Sequence, residues 1–269
     1  MTTTAGRRNG RGAALVTGAS RGIGYELAKL LAQDGYAIVV VARNERELNE
    51  LADELRRTFG ASVKVIAKDL SRPAAPQEVF DELRAGQTGI DVLVNNAGFG
   101  THGPFVRSDL DSQLRMLQVN VTALTHLTGL FLPEMVGRGA GKIMNVASVA
   151  AFQPGPLMAV YYATKAYVLS FSEALSFELR GTGVTVTALC PGPTKSSFQE
   201  RAGMKSVRIA RGKMMDAASV ARIGYRGLMK GKRLVIPGLG NKFLAQTNRV
   251  TPRKTVMQIV RWLNGTVDG

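Results

Sequence analysis

Short runs of apolar, β-branched residues alternate along this chain with longer stretches whose apolar positions repeat every three to four residues. Seven such runs predict strands, at Ala13–Thr17, Ala37–Val41, Val63–Ala67, Asp91–Asn95, Lys142–Ala147, Val184–Leu189 and Leu234–Ile236. Strands that are apolar on both faces are buried between helices, and such strands are usually parallel. The pattern therefore predicts an α/β fold: a doubly wound, mainly parallel sheet of seven strands with helices on both faces.

The stretches with helical periodicity complete this picture. They predict helices from about Gly22 to Gln33, around Glu45–Phe59, from near Leu110 to Met135, from Tyr161 to about Leu179, from near Asp216, and over Pro252–Asn264. No internal repeat or linker separates them, so we expect one domain over residues 13–240. We expect a disordered segment over residues 1–12 and a basic, amphipathic helical extension over residues 241–269.

A glycine-rich turn lies between the first predicted strand and the first predicted helix. Glycine lets the backbone come close to an anion there, and the helix N-terminus presents unpaired N–H groups to it. The sequence thus predicts a dinucleotide-binding turn of a Rossmann fold. The residues predicted to contact the cofactor at this turn are Gly18, Ser20, Arg21, Gly22, Ile23 and Gly24. A glycine turn without a ligand is the alternative interpretation.

The end of the second predicted strand indicates which cofactor binds. An acidic residue there would accept hydrogen bonds from a ribose 2′-hydroxyl, but this strand ends at Arg43, with no acid before Glu45. Arg43 and Arg21 together have the chemistry to bind a 2′-phosphate. NADP is therefore predicted rather than NAD. The alternative is that Arg43 is a solvated residue at the end of a strand.

Tyr161 and Lys165 are four residues apart in a predicted helix, which places both side chains on one face. A cation beside the phenol favours the phenolate, so we expect Lys165 to lower the pKa of Tyr161. Ser148 lies thirteen residues before Tyr161, just past the fifth predicted strand. Tyr162 is a competing proton donor, but it does not have the same spacing to Lys165. The combination predicts proton transfer beside a bound dinucleotide.

Taken together, the glycine turn, Asn95–Gly98, Ser148 and the Tyr161–Lys165 spacing resemble the short-chain dehydrogenase/reductase family over roughly residues 13–237. The resemblance implies that Tyr161 is the proton donor and that Lys165 stabilises the phenolate and holds the nicotinamide ribose. It implies that Ser148 positions the carbonyl oxygen and that Asn120 holds a water molecule in a proton relay.

The same resemblance extends the predicted cofactor site and implies self-association. The further residues it places at the cofactor are Asp69, Leu70, Asn96, Ala97, Gly98, Pro191, Gly192 and Thr194, with Tyr161 and Lys165. Asn95 would stabilise the sheet. Members of the family usually pair through the long helices, here those with Asn120 and Tyr161, so a homodimer or homotetramer is expected.

Composition adds an uneven charge and excludes several classes of protein. The formal net charge is +15, and Asp216 is the one acidic residue between positions 201 and 261, against fifteen Lys and Arg. The one cysteine, Cys190, excludes an internal disulfide framework and indicates a reducing, cytoplasmic location. His102 and His126 do not suggest a metal site, and no apolar run is long enough to span a membrane. Nucleic-acid binding is disfavoured because no recognised motif accompanies the charge.

The predicted function is an NADPH-dependent oxidoreductase that reversibly reduces an apolar ketone or aldehyde, such as an acyl thioester or a steroid-like ketone. The alternative is an NADP(H)-binding regulator or scaffold of the same fold. The segment Lys195–Met215 is long enough to act as a mobile lid. The helix Pro252–Asn264 has an apolar face with Val256, Ile259, Val260 and Leu263. Packing on its own domain is the default for this helix; a membrane surface and a subunit contact remain open.

Overall fold

The sheet of this computed structural model is parallel throughout and has the predicted seven strands. The structure describes residues 11–204, 206–212, 214–248 and 251–266, so residues 1–10 of the predicted disordered segment lie outside the described residues. The strands are β1 Ala13–Thr17, β2 Ala37–Ala42, β3 Val63–Ala67, β4 Ile90–Asn95, β5 Gly141–Val146, β6 Val184–Leu189 and β9 Leu234–Val235. Their order is β3-β2-β1-β4-β5-β6-β9, which confirms the doubly wound topology.

Eleven α-helices occur within the described residues. They are α1 Gly22–Gln33, α2 Glu45–Phe59, α3 Ala75–Ala85, α4 Leu110–Leu117, α5 Leu124–Gly137, α6 Ala159–Glu178, α7 Phe198–Arg201, α8 Arg208–Arg211, α9 Ala217–Met229, α10 Leu239–Thr247 and α11 Arg253–Leu263. Two short strands, β7 Thr194–Lys195 and β8 Met215–Asp216, form a separate two-stranded sheet that the sequence did not predict. Among the described residues, no helix has the length and apolar character needed to cross a bilayer.

The core has two layers, one on each face of the sheet. Alternate residues of a strand point to opposite faces, so Val16 and Val40 pack on one side and Leu15 and Val39 on the other. Helices α1, α2 and α9 cover the first face, and α3, α5 and α6 cover the second. The carboxyl ends of the strands are left open at one edge, where ligands bind in folds of this topology.

A chain of buried polar side chains crosses the sheet between α5 and α6. The amide of Asn95 on β4 donates to Thr128 Oγ1 at 3.0 Å and to Asn145 Oδ1 at 2.9 Å. The amide of Asn145 on β5 then donates to Ser172 Oγ at 2.9 Å. Because all four side chains are buried, these hydrogen bonds fix strand and helix positions directly below the open edge.

The helix predicted from Leu110 to Met135 is wrong as a regular α-helix. A π-helical turn over Gln118–Ala123 separates α4 from α5, and this turn contains Asn120. The side chain of Asn120 forms hydrogen bonds with the backbone of Phe99, outside the helix, and these bonds accompany the wider turn. Such turns add one residue to a helix and are frequent at functional sites.

Candidate active site

The glycine turn after β1 has a backbone that other residues do not tolerate. Gly18 and Gly22 both have φ near +63°, in the left-handed region. A Cβ on Gly24 would lie 2.3 Å from Asn96 Nδ2 and 2.5 Å from the Gly18 carbonyl oxygen. Gly24 is therefore required for close packing of α1 against the turn. The turn itself lines the cavity described below, and the N-terminus of α1 has no side-chain cap there, so the turn is a glycine cradle that fits the pyrophosphate of a dinucleotide.

Asn96 holds this turn from the neighbouring strand. Its amide donates to the carbonyl oxygens of Thr17 at 2.9 Å and Gly18 at 3.0 Å. The backbone N–H groups of Asn96 and Ala97 both donate to Thr17 Oγ1 at 3.0 Å. Asn96 was predicted as a cofactor contact, and the structure gives it this second task of fixing the turn.

A cavity of about 950 Å³ starts at the glycine turn and ends at α10 and α11. It brings together residues that are far apart in the sequence. The predicted site residues that line it are Gly18, Ser20, Arg21, Gly22, Ile23, Arg43, Asp69, Leu70, Asn96, Ala97, Gly98, Ser148, Tyr161, Lys165, Pro191, Gly192 and Thr194. Gly24 and Asn120 do not line the cavity; each lies behind a glycine that does, Gly18 and Gly98 respectively.

Ser148, Tyr161 and Lys165 form a compact group at the wall of this cavity. Ser148 and Tyr161 both line the cavity, and the Ser148 hydroxyl donates to the Pro191 carbonyl oxygen at 3.4 Å. Ser148 Oγ also accepts a hydrogen bond from Ala150 N at 3.1 Å, which fixes its position at the end of β5. Lys165 Nζ lies 5.8 Å from the centroid of the Tyr161 ring and donates to the Val146 carbonyl oxygen at 2.8 Å.

The ionisation of this group differs from the prediction. Burial raises the pKa of Tyr161 above its ordinary value, and the Ser148 side chain opposes that rise. Burial also lowers the pKa of Lys165 to about 8. Burial therefore outweighs the predicted lowering of the Tyr161 pKa by Lys165, because desolvation disfavours the charged form of each group. Tyr161 is a protonated phenol at neutral pH.

Asn120 lies directly behind the reacting group. Its amide donates to the Phe99 carbonyl oxygen at 2.9 Å and to Thr164 Oγ1 at 3.1 Å, and its Oδ1 accepts from Phe99 N at 3.1 Å. A Cβ on Gly98 would lie 3.0 Å from Asn120 Oδ1 and 3.5 Å from Lys165 Nζ. Asn120 and Lys165 therefore approach each other across a glycine. The predicted water relay stays a prediction.

At the other end of the cavity, Arg21 is already paired. Its Nε and Nη2 donate to the two carboxylate oxygens of Glu47 at 2.9 and 2.6 Å. This guanidinium lowers the pKa of Glu47. Glu47 also accepts from Asn44 Nδ2 at 2.6 Å, at the start of α2. Arg43, whose side chain is exposed, lines the same end of the cavity.

The segment after β7 supplies residues that the sequence did not assign to the cofactor end. Ser196 Cβ lies 3.4 Å from where a Cβ on Gly22 would be, so the segment covers the glycine turn. On α7, Phe198 packs against the Tyr161 ring with centroids 5.3 Å apart, and Arg201 lines the cavity. Burial and the nearby Arg43 and Arg21 lower the pKa of Arg201. Arg201 lies 158 positions after Arg43 in the sequence, so no sequence pattern indicated that both arginines line the same cavity.

Helices α10 and α11 close the apolar end of the cavity. Val256, Ile259, Val260 and Leu263, the predicted apolar face of α11, all line it, and Leu244 on α10 joins them. Val256 and Val260 are buried. The predicted helix Pro252–Asn264 is one residue shorter at each end, and its apolar face packs towards the domain.

Asn264 fixes the end of α11, and no motif pointed to it. It is fully buried, its amide donates to the Pro156 carbonyl oxygen at 2.9 Å, and its Oδ1 accepts from the Tyr162 hydroxyl at 3.3 Å. Its carbonyl oxygen lies 2.6 Å from His102 Nε2. Tyr162, the competing proton donor of the sequence, therefore has a structural partner.

Burial raises the pKa of Cys190 to about 12, which makes it an inert thiol.

A comparison with family models identifies the chain. The model described as short chain dehydrogenase matches residues 12–206. The chain belongs to the short-chain dehydrogenase family. Membership makes it an oxidoreductase of a family that binds NAD(P), as the motifs had predicted. The glycine turn, Ser148, Tyr161 and Lys165 of this short-chain dehydrogenase all lie within the matched residues.

Two curated relatives are similar in sequence to this short-chain dehydrogenase. It is 37% identical over 187 residues to a short chain dehydrogenase of Pseudocercospora fijiensis, covering 69% of this chain and 60% of that protein. It is 32% identical over 265 residues to a very-long-chain 3-oxoacyl-CoA reductase of Anas platyrhynchos, covering 93% of this chain and 79% of the relative. The chain thus spans about three-fifths of the first relative and about four-fifths of the second.

The structure is similar to that of a short-chain dehydrogenase from Sphingobium yanoikuyae in complex with NADPH. The sequence identity is 33%, the TM-score is 0.81, and the match covers 96% of this chain and all of that one. This likeness confirms the doubly wound, seven-stranded fold.

Proposed function

We propose that this protein is an NADPH-dependent carbonyl reductase, which reversibly reduces an apolar ketone or aldehyde to an alcohol. The observation that carries the proposal is that Ser148, Tyr161 and Lys165 line the wall of one cavity, with Lys165 Nζ 5.8 Å from the centroid of the Tyr161 ring. One end of this cavity is a glycine cradle for a dinucleotide, and the other is apolar. A carbonyl group bound between these ends meets a hydroxyl pair that is able to bind and protonate its oxygen.

The side chains of the site have distinct tasks in this proposal. A dinucleotide whose pyrophosphate is held at the glycine cradle would supply a hydride from its reduced nicotinamide to the carbonyl carbon. Ser148 donates a hydrogen bond to the carbonyl oxygen and Tyr161 donates its proton to it. Since burial raises the pKa of Tyr161, the phenol keeps this proton at neutral pH until the oxygen becomes basic. The charge of Lys165 lies close enough to the ring to stabilise the phenolate that remains.

The apolar end of the cavity supports a large, apolar substrate. Met204, Val256, Ile259 and Leu263 line it, together with Leu244. Apolar pockets of this kind take up hydrocarbon because burial of apolar area is favourable by ~25 cal/mol per Å². A long-chain 3-oxoacyl thioester is our preferred substrate class, in agreement with the name of the relative that aligns with 93% of this chain.

A direct assay tests the proposed function. Purified protein is mixed with NADPH and a panel of ketones, aldehydes and 3-oxoacyl thioesters of increasing chain length, and the absorbance of NADPH is followed. We expect oxidation of NADPH with kcat/KM rising with chain length, because each buried methylene contributes about 0.8 kcal/mol. Tight NADPH binding without turnover on any member of the panel would contradict the proposal and favour the regulator.

We propose that NADP rather than NAD is the cofactor because of the charges at the adenosine end. Glu47 pairs with Arg21, and Glu200 also lines the cavity beside Arg201, so the three arginines Arg21, Arg43 and Arg201 exceed these two glutamates by one charge. Like charges that gather without a full set of counter-charges favour binding of an anion. A 2′-phosphate is the anion that distinguishes NADP from NAD. Arg201 adds to the two arginines that the sequence had proposed.

The variant Arg201→Gln tests this part of the proposal. A charge-assisted hydrogen bond contributes about 1.5–3 kcal/mol, so we expect NADPH affinity to fall by roughly 10- to 100-fold and NADH affinity to stay constant. Calorimetric titration with NADPH, NADH and 2′,5′-ADP measures this without turnover. Arg46→Gln, on the exposed side of α2, is the matched control and should bind like the unaltered protein. Equal losses for NADPH and NADH would contradict the role of Arg201.

We propose that the protein is a homodimer or homotetramer. Leu110, Leu114 and Leu117 are exposed at successive turns of α4, and Phe177 is exposed on α6. Monomeric proteins rarely leave a row of large apolar side chains in water, so this surface supports a contact between subunits.

The inert, buried Cys190 supports a cytoplasmic location.

A further inference from the structure

Helices α10 and α11 expose large apolar side chains. On α10, Leu239 is 83% exposed and Phe243 72% exposed; on α11, Trp262 is 61% exposed. Met257 and Ile259 of α11 are also exposed. Isolated exposed apolar residues are ordinary, but such a concentration on two consecutive helices marks an interaction surface. We call these two helices with their exposed residues the α10–α11 surface.

The charge of the same region is strongly positive. Between positions 217 and 266 the sequence has no Asp or Glu, and Lys242, Arg253, Lys254 and Arg261 belong to the α10–α11 surface itself. A basic, amphipathic helix is typical of binding at the surface of an anionic membrane. A second copy of this chain would bring like charges together, so self-association does not explain the surface.

The α10–α11 surface is continuous with the cavity. Leu244 and Ile259 are both exposed to solvent and line the cavity wall. An apolar path therefore connects the exposed surface with the space in front of Tyr161. A partner with anionic groups at its surface and an apolar interior beneath them would match both the side chains of this surface and its connection to the cavity. Nucleic acid fits less well because it offers no apolar phase to Leu239, Met257 or Ile259.

We propose that the α10–α11 surface docks on an anionic phospholipid bilayer. Its apolar side chains enter the boundary between headgroups and acyl chains, and its basic side chains face the anionic headgroups. Docking on the bilayer does not depend on turnover. The entry of an apolar carbonyl substrate from the bilayer into the cavity rests on the proposed function.

Co-sedimentation with vesicles tests the docking. The full-length protein is mixed with vesicles of phosphatidylcholine alone or of phosphatidylcholine with phosphatidylglycerol, at low and high salt. We expect binding to the anionic vesicles and at least a tenfold loss of binding at high salt. The double variant Leu239→Ser/Phe243→Ser should reduce binding by about tenfold or more. Lys242→Glu/Lys254→Glu should abolish it.

Matched controls separate docking from unfolding and from nonspecific charge. Val136→Ser, which removes an exposed apolar residue of α5 just before β5 begins, at the end of the sheet opposite the cavity, and Arg46→Glu should bind vesicles like the unaltered protein. NADPH affinity should stay constant in Leu239→Ser/Phe243→Ser, since neither residue lines the cavity.

Three outcomes of the vesicle experiments and their controls would overturn the docking proposal. They are the absence of binding to anionic vesicles, equal losses in the controls, and dissociation of an oligomer by Leu239→Ser/Phe243→Ser without vesicles, which would make the surface a subunit contact. Tighter binding to duplex RNA than to vesicles would also overturn it. Vesicle binding is measured without substrate, so its absence would contradict docking and would not contradict the proposed reductase activity. A failure of the proposed function would in turn leave docking intact.

Discussion

Tyr161→Phe should lower kcat/KM for carbonyl reduction by about 10²- to 10⁴-fold, the contribution typical of a positioned general acid. The variant loses the hydroxyl that donates the proton and keeps the ring that packs against Phe198 at 5.3 Å. We therefore expect the fold and NADPH affinity to be retained. Steady-state rates with the best substrate of the panel, together with calorimetric NADPH titration, measure both quantities.

Tyr162→Phe is the matched control for this prediction. It removes the neighbouring hydroxyl, which donates to Asn264 Oδ1 at 3.3 Å. We expect a loss of about 1 kcal/mol in the free energy of unfolding and less than a tenfold change in rate. If Tyr161→Phe retained the rate of the unaltered protein, or if Tyr162→Phe lost more activity than Tyr161→Phe, Tyr161 would not be the proton donor.

Lys165→Met should stabilise the protein at neutral pH while reducing activity by at least about 10²-fold. Lys165 is 6% exposed, and burial lowers its pKa to about 8 from an ordinary value near 10.5. This difference means that the charged form costs roughly 3 kcal/mol in the folded state. Methionine fills similar space without charge and gives up the hydrogen bond to Val146, so we expect a net gain of ~1–3 kcal/mol.

The gain in stability expected for Lys165→Met depends on pH, because the pKa of Lys165 differs between the folded and unfolded chains. Below about pH 8 both folded and unfolded chains carry the Lys165 charge, and the cost of burying it is complete. Between about pH 8 and 10.5 the unfolded chain binds more protons than the folded one, so the cost fades as the pH rises. Urea unfolding at about pH 7 and about pH 9.5 should show the advantage of Lys165→Met shrinking.

Lys142→Met is the control for burial of a lysine without a catalytic role. Lys142 Nζ donates to the Met229 carbonyl oxygen at 3.3 Å, outside the cavity. We expect little change in activity and no gain in stability from this substitution. A Lys165→Met protein that is less stable than the unaltered protein by the same amount at both pH values would show that Lys165 is not held against a desolvation cost.

The parts of the fold that depend on local pattern were predictable from the sequence. The strands follow apolar runs, and the predicted bounds of α1 and α2 are those of the structure because periodicity and turn residues define them. The π-helical turn at Asn120 was missed because its cause is a hydrogen-bond partner, Phe99, that lies on another segment. Local propensity contains no information about such partners.

Within the site, the sequence indicated which side chains to consider, and the structure showed how deeply they are buried and which distant residues contact them. The spacing of Tyr161 and Lys165 indicates one helix face, but it does not reveal that both side chains are buried, which reverses the predicted pKa shift of the phenol. Arg201 and Asn264 contribute through contacts with distant segments, so no motif marks them. The assignment of catalytic and cofactor residues, and the lid role of residues 195–215, remain predictions; Lys205 and Lys213 lie outside the described residues.

The apolar wall of the cavity formed by Leu244 on α10 and by α11 lies beyond the stretch that matches the family model. Tyr161 and the glycine turn therefore lie within the stretch that matches the family model, and the wall lies outside it. An exchange of the carboxyl-terminal thirty or so residues with those of a relative would be a modular way to change which molecule enters. In the proposed reductase, substrate selectivity would be physically separable from hydride and proton transfer.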